Sequence, residues 1–285
     1  MKITELFRKK ELTLSFEVFP PKTAETFESV KSATEEVALL SPDYMSVTCG
    51  AGGSNAGFNL EIAENLLNKG HVTPIAHLTC VSAGKDAIDA QLSGFKMAGI
   101  ENILALRGDI PEKGDYTCVF PHASDLTEYV KSKGDFCVGG ACYPEGHPES
   151  PSQKEDIAFL KEKVEKGCEY LTTQMFFDNN ILYSFLYKVL SAGINVPVVA
   201  GIMPVTNAKS IKRICGISGS QLPQRFLRIV DAFGEDETAM KQAGIAYATE
   251  QIIDLIANGV KHIHLYTMNK PEIARAIKSN LTGIL

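Results

Sequence analysis

A chain of 285 residues with 45% hydrophobic and 22% charged side chains can bury one large core, and these values exclude a disordered or fibrous polymer. Its 28 basic and 34 acidic residues give a net charge of -6 without a long basic run, which excludes the electrostatic footprint of a nucleic-acid binder. No apolar run reaches the ~18 residues of a membrane span, and the charged amino-terminal MKITELFRKK lacks the apolar centre of a secretion signal, so a cytoplasmic protein is expected.

The chain repeats one beat: a short β-rich apolar run, a polar or Gly-rich break, then a stretch of helical period. TLSFEVF from Thr13 is the first predicted strand and FESVKSATEEVALL the helix after it. YMSVTCG from Tyr44 precedes NLEIAENLL, and TPIAHLTC from Thr73 precedes DAIDAQLSGFKMAG. NILALRGD from Asn102 and FCVGGACY from Phe136 follow, with DIAFLKEKVEKG behind the latter. YLTTQMFF from Tyr170, VPVVAGIM from Val196 and HIHLYTM from His262 complete eight runs, and PEIARAIKSNL closes the ring. Starts lie 26 to 34 residues apart until the last interval of 66, where SIKRICGI, QRFLRIVDAF and DETAMKQAGIAYATEQIIDLIANG supply three extra helices. Eight alternating units predict an α/β fold, a closed (β/α)8 barrel over residues 1–285 as one domain, with an open doubly wound sheet as the alternative. No Pro-, Gly- or Ser-rich linker divides the chain.

Seven cysteines, scattered and without a C-x-x-C pair, fit neither a disulfide framework nor a zinc ribbon and read as small buried hydrophobes. No H-x-x-x-H or carboxylate-histidine cluster points to a metal.

In such barrels the chemistry sits at the carboxyl ends of the strands. Glu17 lies there between Phe16 and Val18 with Phe19, Pro20 and Pro21 following, a partly desolvated carboxyl suited to general acid work or, alternatively, a structural partner of a Lys or Arg. Gly108 between Arg107 and Asp109 permits close approach of a flat or phosphorylated ligand, with Asp109 projecting into the mouth or paired locally with Arg107. Thr48, Tyr143, His147, Gln174 and Tyr266 are further polar groups at strand ends. Asp156 and Lys163 share a helical face beside the fifth strand, either to meet a phosphate or as a solvated face. His77 reads first as a hydrogen-bonded core residue. GAGGS at 50–54 is neither a dinucleotide fingerprint nor a P-loop and reads as a loop lining the mouth.

FEVFPPK, SVTCGAGGS, IAHLTC, ILALRGDIP, ACYPEGHPES, TTQMFFD, AGIMPV and HLYTMNK, in this order from Leu14 to Lys270, resemble the methylenetetrahydrofolate reductase family. The resemblance implies a flavin barrel that reduces 5,10-methylenetetrahydrofolate to 5-methyltetrahydrofolate by ping-pong hydride transfer from NADH or NADPH through FAD. It implies Glu17 as the general acid to N10, Asp109 as the carboxylate that tunes the flavin and helps bind folate, and Gln174 as a contact to pterin and nicotinamide in turn. Thr48, Cys49, Ala51, His77, Arg107, Gly108, His122, Ala123, Tyr143, His147, Asp156 and Lys163 match flavin-lining positions. Ser210 and Lys270 match positions on the folate side, and a homo-oligomer is expected.

The sequence departs from the enterobacterial pattern at several of these places. Cys49 stands for Tyr, Phe159 and Glu162 for Asn and Arg near the cofactor's phosphates and adenosine, Ser210 and Ile214 for Gln and Phe, and Lys270 for Arg. These changes leave FMN as a variant of the cofactor and an electron-transfer or methyl-transfer protein, such as a ferredoxin-linked partner, as a variant of the traffic. A flavin-free pterin-binding barrel and a non-catalytic subunit are the competing classes. A barrel without the regulatory carboxyl-terminal domain of eukaryotic members is expected.

Overall fold

The computed structural model of the protein describes residues 1–21, 23–49, 56–110 and 119–285. Eight parallel strands close into a barrel in chain order: β1 (Thr13–Val18), β2 (Met45–Val47), β3 (Pro74–Thr79), β4 (Asn102–Leu106), β5 (Cys137–Cys142), β6 (Tyr170–Thr173), β7 (Val198–Ile202) and β8 (His262–Tyr266). Each strand falls within a run predicted from sequence, and the open sheet is excluded because β1 pairs with both β2 and β8.

Helices α2 (Phe27–Ala38), α3 (Ala56–Asn68), α4 (Lys85–Met97), α5 (Ala123–Lys133), α6 (Gln153–Glu165) and α7 (Asn179–Ser191) follow the first six strands. The long last interval holds α8 (Ala208–Ser218), α9 (Gln224–Phe233) and α10 (Glu237–Ala257), and α11 (Pro271–Asn280) completes the ring. No helix among the described residues is long and apolar enough to cross a membrane.

Strand alternation divides the core in two. Leu14, Phe16 and Val18 point outward and join the main apolar cluster beneath the helices, which leaves Thr13, Ser15 and Glu17 on the inner face of β1. The barrel floor is a separate cluster of Tyr44, Ile75, Leu104, Tyr170 and Val199. It is sealed by α1 (Ile3–Lys9), a helix not foreseen from sequence. Seven residues are too short to hold a helix alone, so tertiary contacts hold it: Ile3 and Leu6 are buried, and the Phe7 ring stacks on His262 at 3.9 Å. The Ile3 N–H donates to Asn102 Oδ1 at 2.9 Å, tying the plug to the start of β4.

Inside the barrel, glycine makes room for a ring. A Cβ on Gly139 would lie 2.2 Å from Tyr170 Cζ on the neighbouring strand, where Gly139 and Tyr170 are register partners. Gly139→Ala is therefore expected to destabilise the fold by about 1–3 kcal/mol through overpacking. Urea unfolding should show the loss, and Tyr170→Leu in the same chain should recover part of it, a coupling that independent sites would not give.

Candidate active site

Glu17 is the inner residue of the last β1 pair, in register with Ser46 on one side and Tyr266 on the other. Its side chain is 21% exposed. Around Oε2 stand Ser46 Oγ at 3.4 Å, His264 Nε2 at 3.6 Å and His77 Nε2 at 3.7 Å. Among the described residues no Lys or Arg pairs with it, which removes the structural ion pair considered above. The carboxyl is thus held by position, with three polar neighbours at or beyond the edge of hydrogen-bond distance.

His264 is absent from the sequence-derived candidates, although His262, His264 and Tyr266 share the period-two inner face of β8. Ser15 Oγ donates to the Ile263 carbonyl at 3.0 Å and lies 2.7 Å from His264 Nδ1. A hydroxyl has one proton, so Nδ1–H donates to Ser15, while Nε2 faces Ser46 Oγ at 3.1 Å and Glu17 Oε2 at 3.6 Å. His77 is enclosed on β3, and its Nε2 has no hydrogen-bond partner among the described residues. Burial holds its pKa down to about 4, with the Glu17 charge opposing and His264 adding to the shift.

Beside this carboxyl half, a cavity of about 480 Å³ opens over the ends of β2 to β5. It collects most of the flavin-lining candidates. Cys49 and Gly108 contribute its inner wall, and Arg107 and Asp109 follow from the end of β4. His122 and Ala123 bring the amino end of α5, and Tyr143 and His147 bring the loop after β5. Asp156 and Lys163 do share one face of α6, and that face lines the cavity, as do Phe159 and Glu162. Gly108 adopts φ +86, a left-handed conformation suited to glycine, and a Cβ there would lie 2.6 Å from Val81 Cγ1.

The polar contacts define what each group can do. Arg107 does not pair with Asp109, as one sequence alternative had it; its Nη1 and Nη2 donate to Glu149 at 2.7 and 2.6 Å. Lys163 Nζ donates to the Ala141 carbonyl at 2.8 Å, and Ser150 Oγ donates to Asp156 Oδ1 at 3.1 Å. His147 Nδ1 accepts from the Glu149 N–H at 3.1 Å, its ring sits edge-on to Tyr143 at 4.6 Å, and burial lowers its pKa. Burial likewise pushes the Tyr143 hydroxyl up to about 12, so it stays a neutral donor. At α5 the His122 N–H donates to Asp125 Oδ2 at 3.1 Å, closing a capping box at a helix end that favours anions.

Other candidates lie around this centre. The Thr48 N–H donates to the Val18 carbonyl at 3.0 Å, at the mouth but outside the cavity lining. Gln174 follows β6, and its N–H donates to the Cys142 carbonyl at 2.7 Å, which sets it beside the cavity wall. Tyr266 O–H donates to the Thr173 carbonyl at 2.5 Å. Ser210 is exposed in the first turn of α8, its N–H donating to Asn207 Oδ1 at 3.0 Å, and Lys270 Nζ donates to Thr206 Oγ1 at 3.2 Å on the same side. Helices α8 and α9 bury Ile211, Phe226 and Val230 against Met175 and Phe177, forming a roof beyond β6 and β7. Ala51 and the GAGGS loop lie outside the described residues. Cys80, Cys137, Cys142 and Cys168 are buried, in line with their reading as small hydrophobes, whereas Cys49 and Cys215 are half-buried.

Fold and site define a (β/α)8 barrel whose mouth pairs an enclosed carboxyl with a cavity lined by both carboxylates and the cations Arg107 and Lys163. The model of the methylenetetrahydrofolate reductase family matches residues 2–282, and the chain belongs to that family. It is 36% identical over 299 residues to methylenetetrahydrofolate reductase (NADH) 1 of Zea mays, covering 98% of this chain and 50% of the relative. It is 33% identical over 267 residues to 5,10-methylenetetrahydrofolate reductase of Escherichia coli strain K12, covering 94% of this chain and 90% of that one. The chain thus spans about half the length of the plant relatives it matches. A solved Clostridium thermocellum protein, described as binding two copies of 5-methyl-5,6,7,8-tetrahydrofolic acid, shares the fold at a TM-score of 0.65 and 14% identity, with full coverage of both chains.

Acid sensitivity follows from the buried imidazoles. Burial also holds His262, at the floor, down to about 4. A depressed histidine pKa means that the unfolded chain takes up protons first, so stability is lost as pH falls from about 6.5 toward 4 and is fully present above that window. His262→Gln should flatten the acid limb of a denaturation series by up to about 1.4 kcal/mol per pH unit. A limb of unchanged slope would show that His262 is not neutral in the native state.

Proposed function

We propose that the protein reduces 5,10-methylenetetrahydrofolate to 5-methyltetrahydrofolate, using a flavin bound in the cavity and a nicotinamide donor. The observation that carries this reading is Glu17, an enclosed carboxyl without a Lys or Arg partner among the described residues, adjoining a cavity lined by the positions the family resemblance assigns to flavin.

The residues present fit such a cofactor. Neutral Tyr143 and His147 line the cavity as polar groups for a bound ring, and Gly108 keeps the wall clear of a side chain; His77 lies outside the lining, its Nε2 turned to Glu17. Arg107, Lys163 and the amino end of α5 are the groups that would hold a phosphate. When bound, a flavin supplies the hydride chemistry between donor and folate. FAD is the reading from family, and the plant relatives' names include NADH, which supports NADH as donor.

Glu17 gives its proton to folate N10, so that the methylene bridge opens to an iminium carbon able to accept hydride. Ser46 Oγ donates toward Oε2, and no Lys or Arg among the described residues pairs with it. Asp109 lies at the exposed rim of the cavity, where its charge acts on the ring and on the pterin. Gln174 orients first nicotinamide and then pterin, its amide oxygen braced by the Met175 N–H at 3.0 Å. Neutral Tyr143 and His147 supply hydrogen bonds without adding charge to a cavity already rich in carboxylates.

The purified protein should be yellow and should release FAD on denaturation, and NADH should bleach it in the absence of air. Glu17→Gln should retain that bleaching while reoxidation by methylenetetrahydrofolate slows by about 10²- to 10⁴-fold, the usual weight of a general acid. Equal loss in both half-reactions would contradict the role given to Glu17. A colourless protein that takes up no flavin would favour a flavin-free pterin-binding barrel.

A further inference from the structure

Among the described residues the cavity lining carries more acidic than basic side chains. Among the described residues, Asp109, Glu149, Asp156 and Glu162 line it against Arg107 and Lys163, an awkward setting for a phosphate-bearing ligand. Two of these acids are engaged away from the cations. Glu162 pairs with Lys166 at 2.9 Å, and Asp156 accepts from Ser150.

Glu149 differs. Its two oxygens take both terminal nitrogens of Arg107, the same fork-to-fork geometry by which guanidinium binds phosphate. Arg107 Nε is already spent on the Gly108 carbonyl at 3.2 Å, so the face presented to Glu149 is the one left for an anion. The Glu149 backbone is pinned by the His147 ring, but its carboxylate is 54% exposed against 22% for Arg107. That carboxylate can therefore swing into solvent while the loop and Arg107 stay where they are.

Resting on the flavin reading above, we propose that Glu149 is a latch on the cofactor site: it occupies Arg107 as an internal anion and is displaced by the phosphate of the incoming flavin nucleotide. A pair with one half-exposed partner is weak, about fivefold at most in an equilibrium constant, so a doubly charged phosphate displaces it. Until then the pair keeps Arg107 extended along the cavity wall. Glu149 thus lowers the affinity for phosphorylated flavins and leaves that for riboflavin untouched, because only a phosphate has to take Arg107 from it.

The test is the binding of FAD, FMN and riboflavin to the apoprotein, followed by flavin fluorescence. Glu149→Gln should tighten FAD and FMN by about threefold to fivefold, the latch's own competition removed, and leave riboflavin unchanged. Glu162→Gln removes the same charge from the same cavity and should give no comparable gain. Weaker or unchanged nucleotide binding by Glu149→Gln, an equal gain for riboflavin, or an equal gain from Glu162→Gln each overturns the latch while the flavin reading stands. Wild-type protein that binds none of the three flavins overturns the flavin reading, and the latch with it.

Discussion

Closure of β1 against both β2 and β8 is the constraint on which the rest of the mouth depends. In a parallel strand every second residue faces inward, and closing the ring turns that alternation into fixed neighbours. Glu17 is set between Ser46 and Tyr266 by register, and the β8 residue two positions before Tyr266 brings an imidazole under its carboxyl. Bonds between strands that are not adjacent, such as Ser46 to His264 and Tyr266 to Thr173, cross the interior and hold these groups from the far side. A change of one residue in the register of β1 would send Glu17 into the apolar shell under the helices and Phe16 into the mouth.

Such an interior is costly to the fold, and the chain offsets the cost at the other end. Ser15, Ser46, His77 and His264 occupy positions that an inert barrel would fill with branched apolar side chains. The Tyr170 hydroxyl is buried near the floor without a hydrogen-bond partner among the described residues, a further expense of order 1–3 kcal/mol. The compensation is the α1 plug, which buries Ile3 and Leu6 over the Tyr44 and Tyr170 rings and excludes water from below. Polarity at the mouth and dryness at the floor are therefore two sides of one packing solution.

What could be read from the sequence is what local periodicity and strand-end position encode. The eight apolar runs located all eight strands, and the 66-residue interval with its three amphipathic patterns located α8 to α10. Position at a strand end set Glu17 and Gln174 at the barrel mouth, and helical spacing placed Asp156 and Lys163 on one face. The misses are of another kind. Helix α1 has too few turns to display a period and exists only by docking. His264 hides in a run where the alternation was plain but every residue passed as strand. The Arg107 partner was sought two positions away at Asp109, yet the chain supplies it 42 positions later at Glu149, a pairing no spacing rule connects.

That long-range pair also explains why substituting a cation at the phosphate end need not empty the site. Glu162 stands on α6 where the enterobacterial pattern has an arginine, and its charge is drawn off by Lys166, which also pairs with Asp125 at 2.7 Å. The lysine therefore ties α6 to the first turn of α5, the helix whose amino end faces the cavity. A salt bridge at this place does not bind an anion directly. It fixes the position of the α5 amino end against α6, so that on the proposed reading the helix dipole would take over work a guanidinium would have done. On the proposed reading, phosphate affinity in this chain rests more on oriented backbone and on the release of Arg107 than on the number of cations lining the wall.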